Sequence, residues 1–190
     1  MLAGARQVFG ELGFERASVD VIAARAGVSK ATIYSHFGDK KSLFVAAVVA
    51  ECEELRCGLA PCRERPAGDV EEALGRFGER IMTIFLTPAI ARLYRQATAE
   101  SERLPEIGRM VFERGTSAVL EAIALHLERW IASGDLRIAD PRGAAIDFFA
   151  LCQGDLTARA RLGVLEYPVE ERIRETVRRA VRTFVRANRG

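Results

Sequence analysis

No run of apolar residues in this chain approaches the roughly 18 that span a bilayer. The longest obvious one, Leu43 to Ala50, has eight. There is no basic start followed by a cleavable apolar segment, so a cytoplasmic protein is expected, with no membrane partner. Histidine is scarce: His36 and His126 are the only two. HExxH, GxSxG and phosphate-loop patterns are missing, and acid pairs such as Glu53 and Glu54 read as ordinary exposed-helix residues, so an enzyme is not expected. No CxxC pair exists among the four cysteines, which argues against zinc, and no cofactor is expected. Cys52, Cys57 and Cys62 are spaced by five, and helix positions five apart point about 140° from each other. These thiols are read as buried or surface groups, with a redox sensor as the alternative. Net charge is only +2, too little to argue for nucleic acid alone. Strand-like alternation, internal repeats and low-complexity tracts are also missing.

What is present is helical. The 190 residues suffice for one or two domains with a core, and the composition, 49% hydrophobic and 28% charged, is ordinary for a globular protein. Proline and glycine punctuate the chain at Pro61, Pro66, Gly68, Pro88, Pro105, Gly134, Pro141 and Pro168. They leave about nine helices, over 2–13, 18–26, 29–36, 39–58, 69–86, 89–101, 105–132, 141–163 and 168–187. Asp69 and Asp140 are plausible caps, Gly108 and Gly115 can split the long 105–132 segment, and GLAPCRERPAGD, 58–69, reads as a loop. The fold expected is all-α.

The richest segment is SVDVIAARAGVSKATIYSHFGDKKSLF, Ser18 to Phe44. Ser18 suits an N-cap before the stripe Val19, Ile22, Ala23 and Ala26. Gly27 suits the left-handed turn that ends that helix, Val28 points inward, and Ser29 caps a second helix carrying Ile33 and Phe37. Ala23, Gly27 and Ile33 thus fill the crowded places of a helix-turn-helix. Lys30, Ala31, Thr32, Tyr34, Ser35 and His36 remain outward, where they can meet phosphates or base edges. Asp39 caps the next helix, and Lys40 and Lys41 oppose that helix's dipole in its first turn. A DNA phosphate there would resolve the conflict. Residues 1–48 carry six basic side chains (Arg6, Arg16, Arg25, Lys30, Lys40, Lys41) against four acids (Glu11, Glu15, Asp20, Asp39), so the whole net charge lies in this segment.

GFERASVDVIAARAGVSKATIYSHFGDKKSLF resembles the N-terminal domain of the TetR/AcrR family of transcriptional regulators. The likeness covers about the first quarter of the chain, and AGVSKATIYSHFGDKKSLF matches almost position by position. The resemblance implies a homodimer that binds a palindromic double-stranded operator, usually represses, and is released by a small molecule. Carried over, Lys30, Ala31, Ser35 and His36 would lie nearest base edges. Thr32, Tyr34 and Lys40 would hold phosphates, with Ser18 touching the backbone from the preceding helix, and Ser29 and Lys41 complete the expected DNA-binding set. Lys41 stands where many relatives carry an acid. Asp20 stands where some carry an arginine, and either accepts from a cytosine amino group or favours its own helix N-terminus, the second being the simpler reading. Relatives often have a basic arm before the first helix. Here Leu2, Ala5, Val8, Phe9 and Leu12 already form a buried stripe, so either the arm is lacking or the chain starts late.

Residues 1–46 are therefore expected to form the DNA-binding domain, and 47–190 a helical ligand-binding and dimerisation domain, linked by helix 39–58. Phe77, Ile81, Met82, Phe85, Tyr94, Met110, Phe112, His126 and Trp130 are the candidates for a pocket holding a small, largely apolar effector, though each also suits a core. Phe148, Phe149, Cys152 and Leu156, with Ile173, Val177 and Phe184, form two terminal stripes expected at a homodimer interface. The arginines of the last helix, interleaved with Glu170, Glu171 and Glu175, read as a solvated face. The alternative function is a helical adaptor of the same fold that has lost specific DNA binding.

Overall fold

The computed structural model describes residues 1–59 and 69–189, with side chains described except at 51, 52 and 54–59. Among them the regular elements are helices: α1 (Leu2–Arg16), α2 (Val19–Ala26), α3 (Lys30–Phe37), α4 (Lys40–Leu59), α5 (Val70–Phe85), α6 (Pro88–Glu100), α7 (Pro105–Val111), α8 (Ser117–Ala132), α9 (Pro141–Gln153), α10 (Leu156–Leu162) and α11 (Glu170–Asn188). A single antiparallel bridge joins Leu136 to Arg189. None of these helices is long and apolar enough to cross a membrane. Of the loop expected at 58–69, residues 60–68 lie outside what is described, as do the thiols of Cys52, Cys57 and Cys62, while residues 58 and 59 end α4 and Asp69 precedes α5.

Two expected helices are each divided. The 105–132 segment is broken by a π-helical turn, Phe112–Thr116, that contains Gly115. The 141–163 segment ends α9 at Gln153 and restarts at Leu156, turning through Gly154 and Asp155. Helix α1 runs past its expected end but kinks at Gly13, whose φ is 76°.

The chain forms two compact units, Met1–Glu54 with Arg92–Gly115, and Leu55–Ala91 with Thr116–Gly190. A single cut after residue 46 does not reproduce them, because the first unit also takes in most of α6, all of α7 and much of the π-helical turn.

In the first unit, Ala5, Val8, Phe9, Ile22, Ile33, Leu43 and Phe44 are buried. Phe9 meets Phe44 edge-on at 4.9 Å between ring centres, and Phe14 lies 5.1 Å from Phe44. Burial of each such ring contributes about 1.5–3 kcal/mol. Residues of α6 and α7 are strapped onto this core. Gln96 donates to the Phe9 carbonyl, Arg103 pairs with Glu15, and Lys41 pairs with Glu106.

The second unit is built on α5, α8, α9 and α11. Asp69 caps α5 by accepting from the Glu71 amide at 3.0 Å. Gly78 lets α5 approach α9 and α11 closely: a Cβ there would come within 2.9 Å of a Val177 methyl and 3.2 Å of the Cys152 sulfur. Phe148 packs edge-on against Phe184 and Phe85 against Phe149, both at 5.2 Å. Phe148, Phe149, Cys152, Leu156, Ile173, Val177 and Phe184 are at most 4% exposed within one chain. The stripes of α9 and α11 face each other and α5, so these side chains have no surface left for a second copy. Burial also pushes the Cys152 thiol up to about 12, which leaves no thiolate for redox sensing there.

Candidate nucleic-acid interface

The turn between α2 and α3 is held by local chemistry. Ser18 accepts from the Val21 amide at 3.2 Å, capping α2. Gly27 adopts φ 65° and ψ 32°, a left-handed conformation that costs glycine no Cβ clash, and the Val28 amide reaches back to the Ala23 carbonyl at 3.1 Å. Ser29 accepts from the Thr32 amide at 3.0 Å, and its hydroxyl shares a 2.8 Å hydrogen bond with that of Thr32. Asp39 accepts from the Ser42 amide at 2.6 Å, which holds its carboxyl below the usual range. Ile33 anchors α3 beneath this turn.

With Ile33 inward, α3 presents Lys30, Ala31, Tyr34 and Ser35 on one exposed face, with His36 exposed beside them. Ser18 and Ser29 accept backbone amides as caps, which leaves the Ser18 O–H and one O–H of the Ser29–Thr32 pair able to donate to a phosphate. Val21 does not figure among the expected contacts, yet it is 42% exposed on α2. The stripe Val19, Ile22 and Ala23 leaves it outside, so helical periodicity carried that signal. A valine there suits a thymine methyl.

The basic side chains differ from expectation. Lys40 does not point away from the fold. Its ammonium donates to the carbonyls of Phe14, Glu15 and Ala17 at 3.0, 3.3 and 3.2 Å, and lies 4.5 Å from the centre of the Phe14 ring. An ammonium has three donors, so the Lys40 side chain is used up in closing the end of α1. Lys41 is held by Glu106, whose carboxyl is lowered chiefly by that hydrogen bond. Lys30 donates to Asp20 at 3.0 Å, and the carboxylate raises its pKa through the hydrogen bond and then through its charge. Asp20 thereby takes a partner across the turn. Arg25 makes two bonds to Glu11, at 3.0 and 3.2 Å, and Arg16 donates to the Leu12 carbonyl at 3.1 Å. Arg6 is engaged as well. DNA must therefore share or displace the internal partners of Lys30, Lys40, Lys41 and Arg25.

The nine residues expected around an effector are not gathered in one compact unit. Phe77, Ile81, Met82, Phe85 and His126 are buried in the second unit, with the His126 and Phe77 rings stacked 4.3 Å apart. Trp130, one turn beyond His126 on α8, has a buried indole N–H without a hydrogen-bond partner among the described residues. Tyr94, Met110 and Phe112 belong to the first unit, and Phe112 is 58% exposed on the π-helical turn. A separate groove of about 430 Å³ lies between α9 and the end of α11, bordered by Arg137, Asp140, Asp147, Leu151 and Asn188, and includes none of the nine.

Comparison with known proteins agrees with this geometry. Residues 1–47 match the family "Bacterial regulatory proteins, tetR family", and residues 72–189 match "AefR-like transcriptional repressor, C-terminal domain". The HTH-type transcriptional regulator YezE of Bacillus subtilis (strain 168), itself uncharacterized, is 27% identical over 143 residues, 74% of this chain and 73% of its own. The flavonoid-responsive regulator FrrA superposes with a TM-score of 0.77 at 33% identity, covering 99% of this chain and 94% of its own. A putative TetR-family regulator from Mesorhizobium loti MAFF303099 shares the fold at a TM-score of 0.90 and 23% identity, covering 100% of this chain and 95% of its own. The chain belongs to the TetR family of transcriptional regulators, with a helix-turn-helix DNA-binding head and an AefR-like C-terminal region.

Proposed function

We propose that this protein is a cytoplasmic repressor that binds a palindromic operator as a homodimer and leaves it when a small, largely apolar effector enters the C-terminal region. The observation that carries the DNA reading is the exposed face Lys30, Ala31, Tyr34 and Ser35 on a helix whose start and preceding turn are fixed by Ser18, Gly27 and Ser29. Two such helices about 34–36 Å apart would meet successive major grooves. The family's repressor-type C-terminal match supports the sign of regulation. We assign no catalytic role: the two histidines, His36 on α3 and His126 on α8, lie in different units.

For the dimer, the outer side of α9 replaces the buried stripe. Ile146 is 55% and Leu151 38% exposed, whereas the outward positions of α11 are mostly charged. For the effector, the stacked Phe77–His126 pair and the Trp130 N–H favour a planar aromatic molecule bearing an acceptor oxygen. The flavonoid response in the name of FrrA makes flavonoids the first compounds to test.

In vitro selection from random duplexes at low salt tests the reading. A preferred palindrome, released by a flavonoid panel, is expected. Binding no duplex more tightly than random DNA would leave the helical-adaptor alternative in its place. A selected site that no aromatic compound releases would remove the effector class and keep the DNA reading.

A further inference from the structure

We propose that Asp20 is a specificity-determining residue that turns Lys30 from a phosphate binder into a base reader. The inference rests on the DNA-reading assignment of α3. Asp20 is the second residue of α2 and Lys30 the first of α3, and the turn brings Oδ2 and Nζ to 3.0 Å. Both side chains face water, at 68% and 50% exposure, so the pair is not a buried structural contact. It sits on the reading surface, beside Ala31 and Tyr34.

An ammonium has three donors, and Asp20 takes one. What approaches the other two decides the balance. A phosphate oxygen brings a second full negative charge close to the Asp20 carboxylate, and the two anions repel more strongly as water leaves the interface. Guanine O6 or N7 brings an acceptor without net charge, so the same ammonium bridges carboxylate and base at no such cost. The pair therefore tolerates a base edge and disfavours the backbone. It also neutralises Lys30 on the free surface, so Lys30 adds little to the counterion release that drives binding to any sequence. Asp20 weakens non-specific binding and sharpens the choice of one base pair.

The test measures binding of the full-length wild type, Asp20→Asn, Lys30→Ala and the double variant. Each is titrated with the selected operator, its single-base-pair variants and a random duplex, across a salt series. Thermal melts confirm that each variant is folded. Asp20→Asn keeps size and removes the charge. It is expected to bind random duplex more tightly, steepen the log–log salt slope by about one, and lower the preference at one base pair about tenfold. Lys30→Ala should lose that same preference and, with the Asp20 carboxylate left unpaired, bind every duplex more weakly, whereas the double variant, with neither charge, should lack the preference and keep the wild-type salt slope. An unchanged slope and preference in Asp20→Asn overturns the proposal. So does a slope shallower than that of the wild type by about one in the double variant, which would mark Lys30 as a phosphate contact. If the wild type selects no operator, this proposal and the DNA-reading assignment fall together, and that result is distinct because no duplex then shows a preferred sequence.

Discussion

The helix-turn-helix and the α9–α11 pair both carry apolar residues at helical spacing, yet the two stripes have different consequences. In α2 and α3 the stripe is narrow: Val19, Ile22, Ala23 and Ile33 go inside, and the remaining faces stay available for function. In α9 and α11 the stripes are wide, and Phe148, Phe149, Ile173, Val177, Val181 and Phe184 use one another up inside a single chain. A stripe identifies a buried face but not the partner that buries it. In the head, caps and a left-handed glycine add local geometry that fixes which way the other face points. In α9 and α11 no equivalent local signal separates an intrachain neighbour from a second copy.

The sharpest break of this comparison is Phe148→Ala. Phe148 is fully buried and meets Phe184 edge-on at 5.2 Å. Truncating such a ring costs about 3–5 kcal/mol. Chemical denaturation should show that loss at every protein concentration. A loss confined to low concentration, with a stable monomer core, would return the stripe to the interface between copies.

Lys40→Ala probes the head. Removing the ammonium leaves the Phe14, Glu15 and Ala17 carbonyls without their donor and removes the contact with the Phe14 ring. A loss of about 1–2 kcal/mol in a urea melt is expected, with the salt slope of DNA binding unchanged. Lys40→Met keeps the apolar stem and should recover only part of the loss. A slope shallower by about one with full stability would show that the ammonium leaves α1 for a phosphate.

Much of the fold, and the core of the candidate site, was legible because its causes are local. Ser18, Ser29, Asp39, Asp69 and Asp140 each cap within two or three residues, and Gly27 ends α2 through its own backbone angles. What sequence missed is long-range. The carbonyls that hold Lys40 lie 23 to 26 residues upstream, and Glu106, which holds Lys41, comes from a different helix altogether. Asp20 and Lys30 are ten residues apart and meet only because the turn folds between them. A rule about charges near a helix start sees each of these lysines opposing a dipole. It does not see the anion or carbonyl that another segment supplies. The break of α9 at Gly154 was the opposite kind of miss, a local signal outweighed by the long apolar pattern running through it.

Ile146→Glu sharpens the same comparison from the surface. A charge at a position 55% exposed on α9 should leave monomer stability within about 0.5 kcal/mol. Sedimentation should nevertheless shift toward monomer, and operator affinity should fall by about a hundredfold as the two half-sites become unlinked. An intact dimer with full operator affinity would exclude this face of α9 as the place where copies meet.

The smallest expected effect is that of Glu106→Gln, which asks how far the strap between α4 and α7 matters to the first unit. The Lys41 hydrogen bond and charge hold the Glu106 carboxyl below its ordinary value of 4.5. The unfolded chain therefore takes up this proton before the folded one does. The pair's contribution is complete above that ordinary value and is lost as pH falls through the lower folded value. Both side chains are well exposed, so the contribution is small and weakens with salt. Melting temperatures followed from about pH 7 to pH 3 should show a slightly shallower acid limb for Glu106→Gln than for the wild type. In a Lys41→Met background the same substitution should change that limb less, because the main cause of the lowered carboxyl is gone while the Glu106 backbone amide and Arg109 remain. Identical acid limbs in the wild type and Glu106→Gln would mean that Gln96 of α6 and Arg103 of the α6–α7 turn fasten this region to the head without the pair.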